Sequence, residues 1–167
     1  GRVQDMSQPV AGGNERRSGW MIIGLILAVL GVGISIYSTM HHLEVKATGQ
    51  TDAACNINET FNCDEVALSS YSEIVGVPLG VVGLGYFVAL LVVLGVALAG
   101  GKSARDHAHA YVVMVGVGVL VSAALAGVSI GVLGTYCLAC LGIYAVCALQ
   151  AILVALSRQL VEIKPAT

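Results

Sequence analysis

The chain has 167 residues, 57% of them hydrophobic and 11% charged, with a formal net charge of −2 and a mean hydropathy of +0.87. A soluble domain carries roughly 25% charged residues, so the composition excludes that class, and the charge balance offers nucleic acid no basic surface. Twenty-one glycines beside only two phenylalanines suit closely packed membrane helices, whose contacts favour small residues.

Residues 1–5 precede Met6 and are set aside as left over from expression. A membrane-crossing helix needs about 20 mostly apolar residues. Between Arg17 and His41 lie 23 residues without a charge or histidine, and between Glu73 and Lys102 lie 28 without a charge. From Ala110 to Ser157 no charge appears for 48 residues, enough for two spans and a tight turn. Gly131 and Gly134 in GVLGTY permit that reversal. The expected fold is an all-α integral membrane protein, a bundle of four spans near 18–39, 76–100, 109–132 and 138–157. The first apolar run is longer than the 7–15 residues of a signal peptide and lacks an A-x-A site, so it reads as a retained helix.

Charge asymmetry orients the bundle. Residues 1–17, the loop at 101–108 and the tail at 158–167 share one side and hold seven of the eight Lys and Arg residues. The opposite side holds Lys46 alone. Both termini are therefore expected in the cytoplasm, with residues 18–157 forming one transmembrane domain and the loop at 40–75 outside.

That loop carries Cys55 and Cys63, and the turn before the last span carries Cys137 and Cys140 in a C-x-x-C. Both pairs fall on the oxidising face. After Cys63 the sequence CDEVALSSYSEIV suggests a short surface helix capped by Asn62, with Glu65 placed for a capping box. Val66, Ala67, Leu68, Tyr71, Ile74 and Val75 make one side of it apolar. This arrangement keeps Cys63 near the membrane and leaves Cys55 in a mobile NINET stretch. The Asn58 sequon reads as a chance match. His41, His42, His107 and His109 read as interfacial residues, and Cys147 as a small buried hydrophobe.

Three chemistries suit the cysteines. Four thiolates can hold zinc, but the loop pair is spaced C-x7-C, with no soluble domain for the metal to hold together. A structural disulfide suits Cys55 and Cys63 better than the C-x-x-C, which closes almost no loop. Redox exchange suits the C-x-x-C best, because a helix start stabilises a thiolate. A loop thiolate attacking Cys137 would leave Cys140 reduced and deeper, where a lipid-soluble quinone is the available oxidant.

The run CNINETFNCDEVALSSYSEIVGVPLGVVGLGYF, with the distant TYCLACLGIY, resembles the vitamin K epoxide reductase family in its bacterial form. The resemblance extends from about Trp20 to Ser157. It implies a four-helix bundle around a quinone (ubiquinone or menaquinone) in a bacterial inner membrane, DsbB-like in function. The implied partner is a periplasmic, DsbA-like thioredoxin-fold protein, either separate or removed from this chain, which ends at Thr167. The resemblance also implies that Cys55 forms the mixed disulfide with the partner, Cys63 exchanges with Cys137, and Cys140 faces the quinone. Tyr144, one turn beyond Cys140, would line the quinone site, with Pro78 and Leu79 as further contacts. Animal relatives place an asparagine near the start of the second span. Val77-Pro78-Leu79-Gly80 offers no such polar group, which favours plain quinone reduction over vitamin K epoxide as substrate.

Overall fold

The structure is a computed structural model that describes the backbone of residues 11–100 and 104–162 and the side chains of 19–100 and 106–157. The elements are α1 (Ala11–Thr48), α2 (Cys63–Leu68), β1 (Glu73–Ile74), β2 (Val77–Pro78), α3 (Leu79–Ala99), α4 (Ala104–Val128) and α5 (Leu138–Glu162). Four helical stretches are long and apolar enough to cross a membrane: Gly19–Thr48, Leu79–Ala99, Asp106–Leu133 and Leu138–Ser157. They close a ring in which α1 packs on α3 and α5, and α4 packs on α3 and α5. Residues 1–10, 101–103 and 163–167, with Arg2, Lys102 and Lys164 among them, lie outside the described backbone.

Most of the large apolar side chains on the helices face outward, among them Ile26, Val29, Val92, Val113, Leu120 and Ile152. A belt of this kind is stable only against lipid. Inside, Ala28, Phe87, Leu90, Val115, Val146 and Cys147 form the core. Close approach of the helices depends on glycine. A Cβ at Gly31 would strike the Phe87 ring, and one at Gly80 would lie 2.8 Å from the Thr39 amide nitrogen. At the end far from the cysteines, Gln150 is fully buried, accepting from the Tyr111 hydroxyl and donating to the Gly24 carbonyl at 3.0 Å. A polar group at membrane depth needs this kind of satisfaction.

Three boundaries differ from the sequence expectation. The first helix does not stop at residue 39 but continues to Thr48. Gly49, with φ 87°, ends it by donating to the Val45 carbonyl at 2.7 Å. His41, His42 and Lys46 are thus carried on a helix that projects beyond the apolar stretch. The surface helix is only six residues long. Ser69 caps it on extended backbone (ψ 154°), its hydroxyl donating to the Val66 carbonyl at 2.7 Å, and beyond the helix Ser72 makes the same kind of bond to the Ser69 carbonyl. The chain then forms a two-stranded hairpin in which Glu73 pairs with Pro78 and Ile74 with Val77. Val75 (φ 53°) and Gly76 (φ 78°) make its turn. Both central residues are left-handed, as a two-residue hairpin favours, and at Val75 a β-branched side chain bears the strain. Finally, Gly131 stays within a wide helical turn, Ser129–Leu133, while Gly134 alone reverses the chain in the left-handed region.

Replacing Gly80 by alanine should destabilise the bundle by about 1–3 kcal/mol, since the new methyl meets the Thr39 backbone as well as its side chain. Gly95→Ala, with open space around it, should leave the melting temperature unchanged. Thermal unfolding of the two variants in one detergent measures the difference.

Candidate active site

Local sequence builds the site from two directions. After Gly134, Thr135 and Tyr136 run extended, and α5 starts with Cys137 at its N-cap, where the Leu141 amide donates to the Cys137 carbonyl at 3.0 Å. The loop comes back onto this strand. Phe61 and Tyr136 form a parallel bridge, with Tyr136 N–H donating to the Thr60 carbonyl at 2.7 Å and Asn62 N–H to the Tyr136 carbonyl at 3.1 Å. Their rings pack 5.7 Å apart. Asn62 caps α2 as expected, accepting from the Glu65 amide at 3.2 Å. The reciprocal half of the capping box is absent, because the Asn62 amide is already committed to Tyr136. Glu65 instead accepts from the Thr135 hydroxyl at 3.1 Å, a second tie between loop and turn.

The result brings Cys55, Cys63 and Cys137 into one buried cluster, with Cys140 packed against it. Cys55 and Cys63 are joined by a disulfide, while Cys137 and Cys140 are free. The loop holding Cys55 is tied down rather than left to swing. Asn56 Oδ1 accepts from the amides of Cys63 (3.0 Å) and Asp64 (3.2 Å), its amide group donates to the Thr51 carbonyl at 3.0 Å, and Asn58 accepts from Thr60 and Phe61.

The disulfide stands between two different spaces. Cys55 borders an open groove with Tyr37, Ala54, Leu138 and Gly142. Cys63 borders an apolar cavity of about 270 Å³ that lies among all four helices and is shared by Cys137 and Cys140. Tyr144 and Leu79 also line the cavity. Pro78 does not; it caps α3 and belongs to the hairpin. Cys147 is buried as expected, but it too borders the cavity.

Over residues 22–155 the chain matches the sequence model of the vitamin K epoxide reductase family. The chain belongs to the vitamin K epoxide reductase family. No individually curated protein matches it. Members of this family are membrane oxidoreductases that generally use quinone or vitamin K as electron acceptor and typically work with thioredoxin-like partners. Membership and the four apolar helices together make this a multi-pass membrane protein.

His41 and His42 were expected at the interface and are instead buried against the cavity. His42 Nε2 lies 2.9 Å from Glu73 Oε1, which also meets Lys46 Nζ at 3.1 Å. His41 Nε2 lies 3.1 Å from Asp64 Oδ1, within ion-pair range but off the line of a hydrogen bond. Burial works to raise the Asp64 carboxyl, yet the Thr51 amide, the Asn56 and Thr51 side chains and the His41 charge outweigh it and hold it below the usual range. His109 is exposed.

Cys137 occupies the position where serine or aspartate usually caps a helix. Its sulfur accepts the Cys140 amide at 3.3 Å. The Cys140 thiol, against the opposing cost of burial, together with the amides of Cys140 and Ala139, pulls the Cys137 thiol down to about 7. A cysteine held this way is a thiolate in much of the population at neutral pH and a good leaving group. Alkylation of Cys137 by iodoacetamide should rise with pH through a midpoint near 7. In Cys140→Ala the midpoint should move upward, because the donating thiol is gone; tandem mass spectrometry of the Cys137 peptide reads both curves.

Proposed function

We propose that this protein is a thiol:quinone oxidoreductase that makes disulfides for a thioredoxin-fold partner and passes the electrons to ubiquinone or menaquinone. The observation that carries this reading is the disulfide between an open groove and the apolar cavity among the helices, with the free C-x-x-C on the cavity side. The active face lies outside a bacterial inner membrane with both termini in the cytoplasm, supported by the seven-to-one distribution of basic residues.

A partner thiolate attacks Cys55 from the groove, and Cys63 leaves as a thiolate. The partner's second thiolate then closes its own disulfide and releases Cys55. Cys63 attacks Cys137 of an oxidised Cys137–Cys140 pair, expelling Cys140. Cys55 next attacks Cys63 and expels Cys137. Two electrons have moved from partner to C-x-x-C, and the protein stands with Cys55–Cys63 bonded and Cys137 and Cys140 reduced, the arrangement in the structure.

A quinone head group fits the cavity, whose lining is mainly apolar with a few phenol, hydroxyl and imidazole groups. Tyr144 and Leu79 would hold it beside Cys140, and when bound it supplies a two-electron sink. Leu79 and Gly80 bring no polar side chain to the cavity, which favours plain quinone over vitamin K epoxide. A metal carrier is disfavoured because the disulfide removes two of the four thiolates.

Cys140→Ala should abolish quinone reduction, while Cys55→Ala should keep oxidation of small dithiols that reach Cys137 directly. Equal loss of both activities in Cys55→Ala would rule out the relay. Tyr144→Ala should raise the quinone KM about tenfold with little change in kcat, the pattern of lost ground-state binding. Steady-state kinetics with a soluble ubiquinone tests all three.

A further inference from the structure

Oxidising the C-x-x-C gives up two electrons, but a thiolate at Cys137 and a thiol at Cys140 carry only one proton between them. A quinone takes up two electrons and two protons to become quinol. The balanced change is Cys137 thiolate, Cys140 thiol, quinone and one further proton going to disulfide and quinol. That proton must enter an apolar cavity.

We propose that His42 delivers it, drawing on Glu73 and the water beyond. The inference rests on the quinone reading above. His42 is 5% exposed and lines the same cavity as Cys137 and Cys140. Its Nε2 is 2.9 Å from Glu73 Oε1, whose side chain is 31% exposed and therefore in contact with water. Water, carboxylate, imidazole and cavity thus form one continuous series. Imidazole is also the side chain that exchanges protons near neutral pH.

His41 also lines the cavity but is connected differently. Its carboxylate partner, Asp64, is sealed and committed, accepting the Thr51 amide at 2.7 Å and the Thr51 hydroxyl at 2.9 Å. That pair holds the disulfide loop to α1. Glu73 has no need of His42 for such a role, since Lys46 already ties the hairpin to α1 at 3.1 Å. Hydrogen bonds from Lys46 and then His42 keep the Glu73 carboxyl below its ordinary range. The other titratable groups on the cavity are phenols and thiols. Tyr71 comes from the segment after α2 and Tyr86 from α3, and α5 with its N-cap supplies Tyr144 and the cysteines. Among the described residues, no titratable side chain of α4 lines the cavity.

The test uses the full-length protein in detergent, reduced and then mixed with ubiquinone-1 across pH 6–8.5. Wild type should hold or gain rate toward high pH, as the Cys137 thiolate fills. His42→Gln should be about 100-fold slower, the weight of a lost general acid, and should slow further as pH rises because bulk protons become limiting. Exchange with a small dithiol, which needs no quinone, should persist in the variant. A second readout uses quinone-free protein: nitrogen-15 NMR of the histidine rings should show the His42 ring N–H exchanging with solvent faster in wild type than in Glu73→Gln, because the carboxylate connects the ring to water. An equal rate and pH profile in His42→Gln overturns the proposal, as does a His42 ring whose solvent exchange is the same in Glu73→Gln. If His42→Gln loses both half-reactions through misfolding, the ring exchange rates of wild type and Glu73→Gln decide. A wild-type dithiol inert to ubiquinone-1 instead removes the quinone reading, and the role of His42 with it.

Discussion

The two backbone hydrogen bonds between Thr60–Asn62 and Tyr136 hold the rest of the site in place. Cys63 lies immediately after the bridged segment of the loop, and Cys137 immediately after the bridged residue of the turn. Registering one strand on the other therefore brings the two cysteine pairs together without requiring any helix to move. The surrounding ties reinforce this register. Thr135 reaches Glu65, Asn62 caps α2, and Asn56 gathers the amides of Cys63 and Asp64. Thiol exchange needs near contact and in-line approach, and holding reactants in place supplies much of the rate such steps gain. A loop pinned at both ends of the disulfide meets that need better than a swinging one.

The same constraint shapes one end of the cavity. The loop lies across the end of the ring of helices, and its Cys63, Val66 and Ala67 line the cavity on that side. Burying two histidines there is costly unless they are paired. Each has a carboxylate at about ion-pair distance, one from α2 and one from the hairpin. The hairpin turn at Val75 and Gly76 returns Val77 and Pro78 alongside Ile74 and Glu73, with the strain borne by a β-branched residue.

Much of this was legible in the chain itself. Apolar length is a one-dimensional quantity, so charge-free runs identified four spans, and the helix start at Cys137 followed from Gly134 and the return of apolar sequence. The errors are as physical as the successes. The first span was placed at 18–39 because the charge-free, histidine-free stretch stops before His41, although the helix itself runs on to Thr48 and Gly49 ends it. Ser69 carried a termination signal that a count of apolar residues along 63–75 overlooks. The histidine–carboxylate pairs had no local signature, since His42 and Glu73 are 31 positions apart and meet only once the loop is folded onto α1. The same holds for the bridge between Phe61 and Tyr136. Pro78, offered together with Leu79 by the family resemblance, pairs with Glu73 in the hairpin and lies off the cavity that Leu79 lines.

The helix start at Cys137 also gives the proposed relay its direction. In a mixed disulfide between Cys63 and Cys137, the sulfur with the lower thiol pKa leaves faster. Cys137 is held near 7 by the helix amides and the Cys140 thiol, so attack by Cys55 expels Cys137 readily. The reverse step, Cys137 attacking the loop disulfide, starts from a thiolate that is plentiful but stabilised, and hence less nucleophilic. Electrons arriving from the groove are therefore favoured to settle on the cavity side, next to the proposed acceptor. The asymmetry comes from one feature of secondary structure, a cysteine standing where a helix needs a cap.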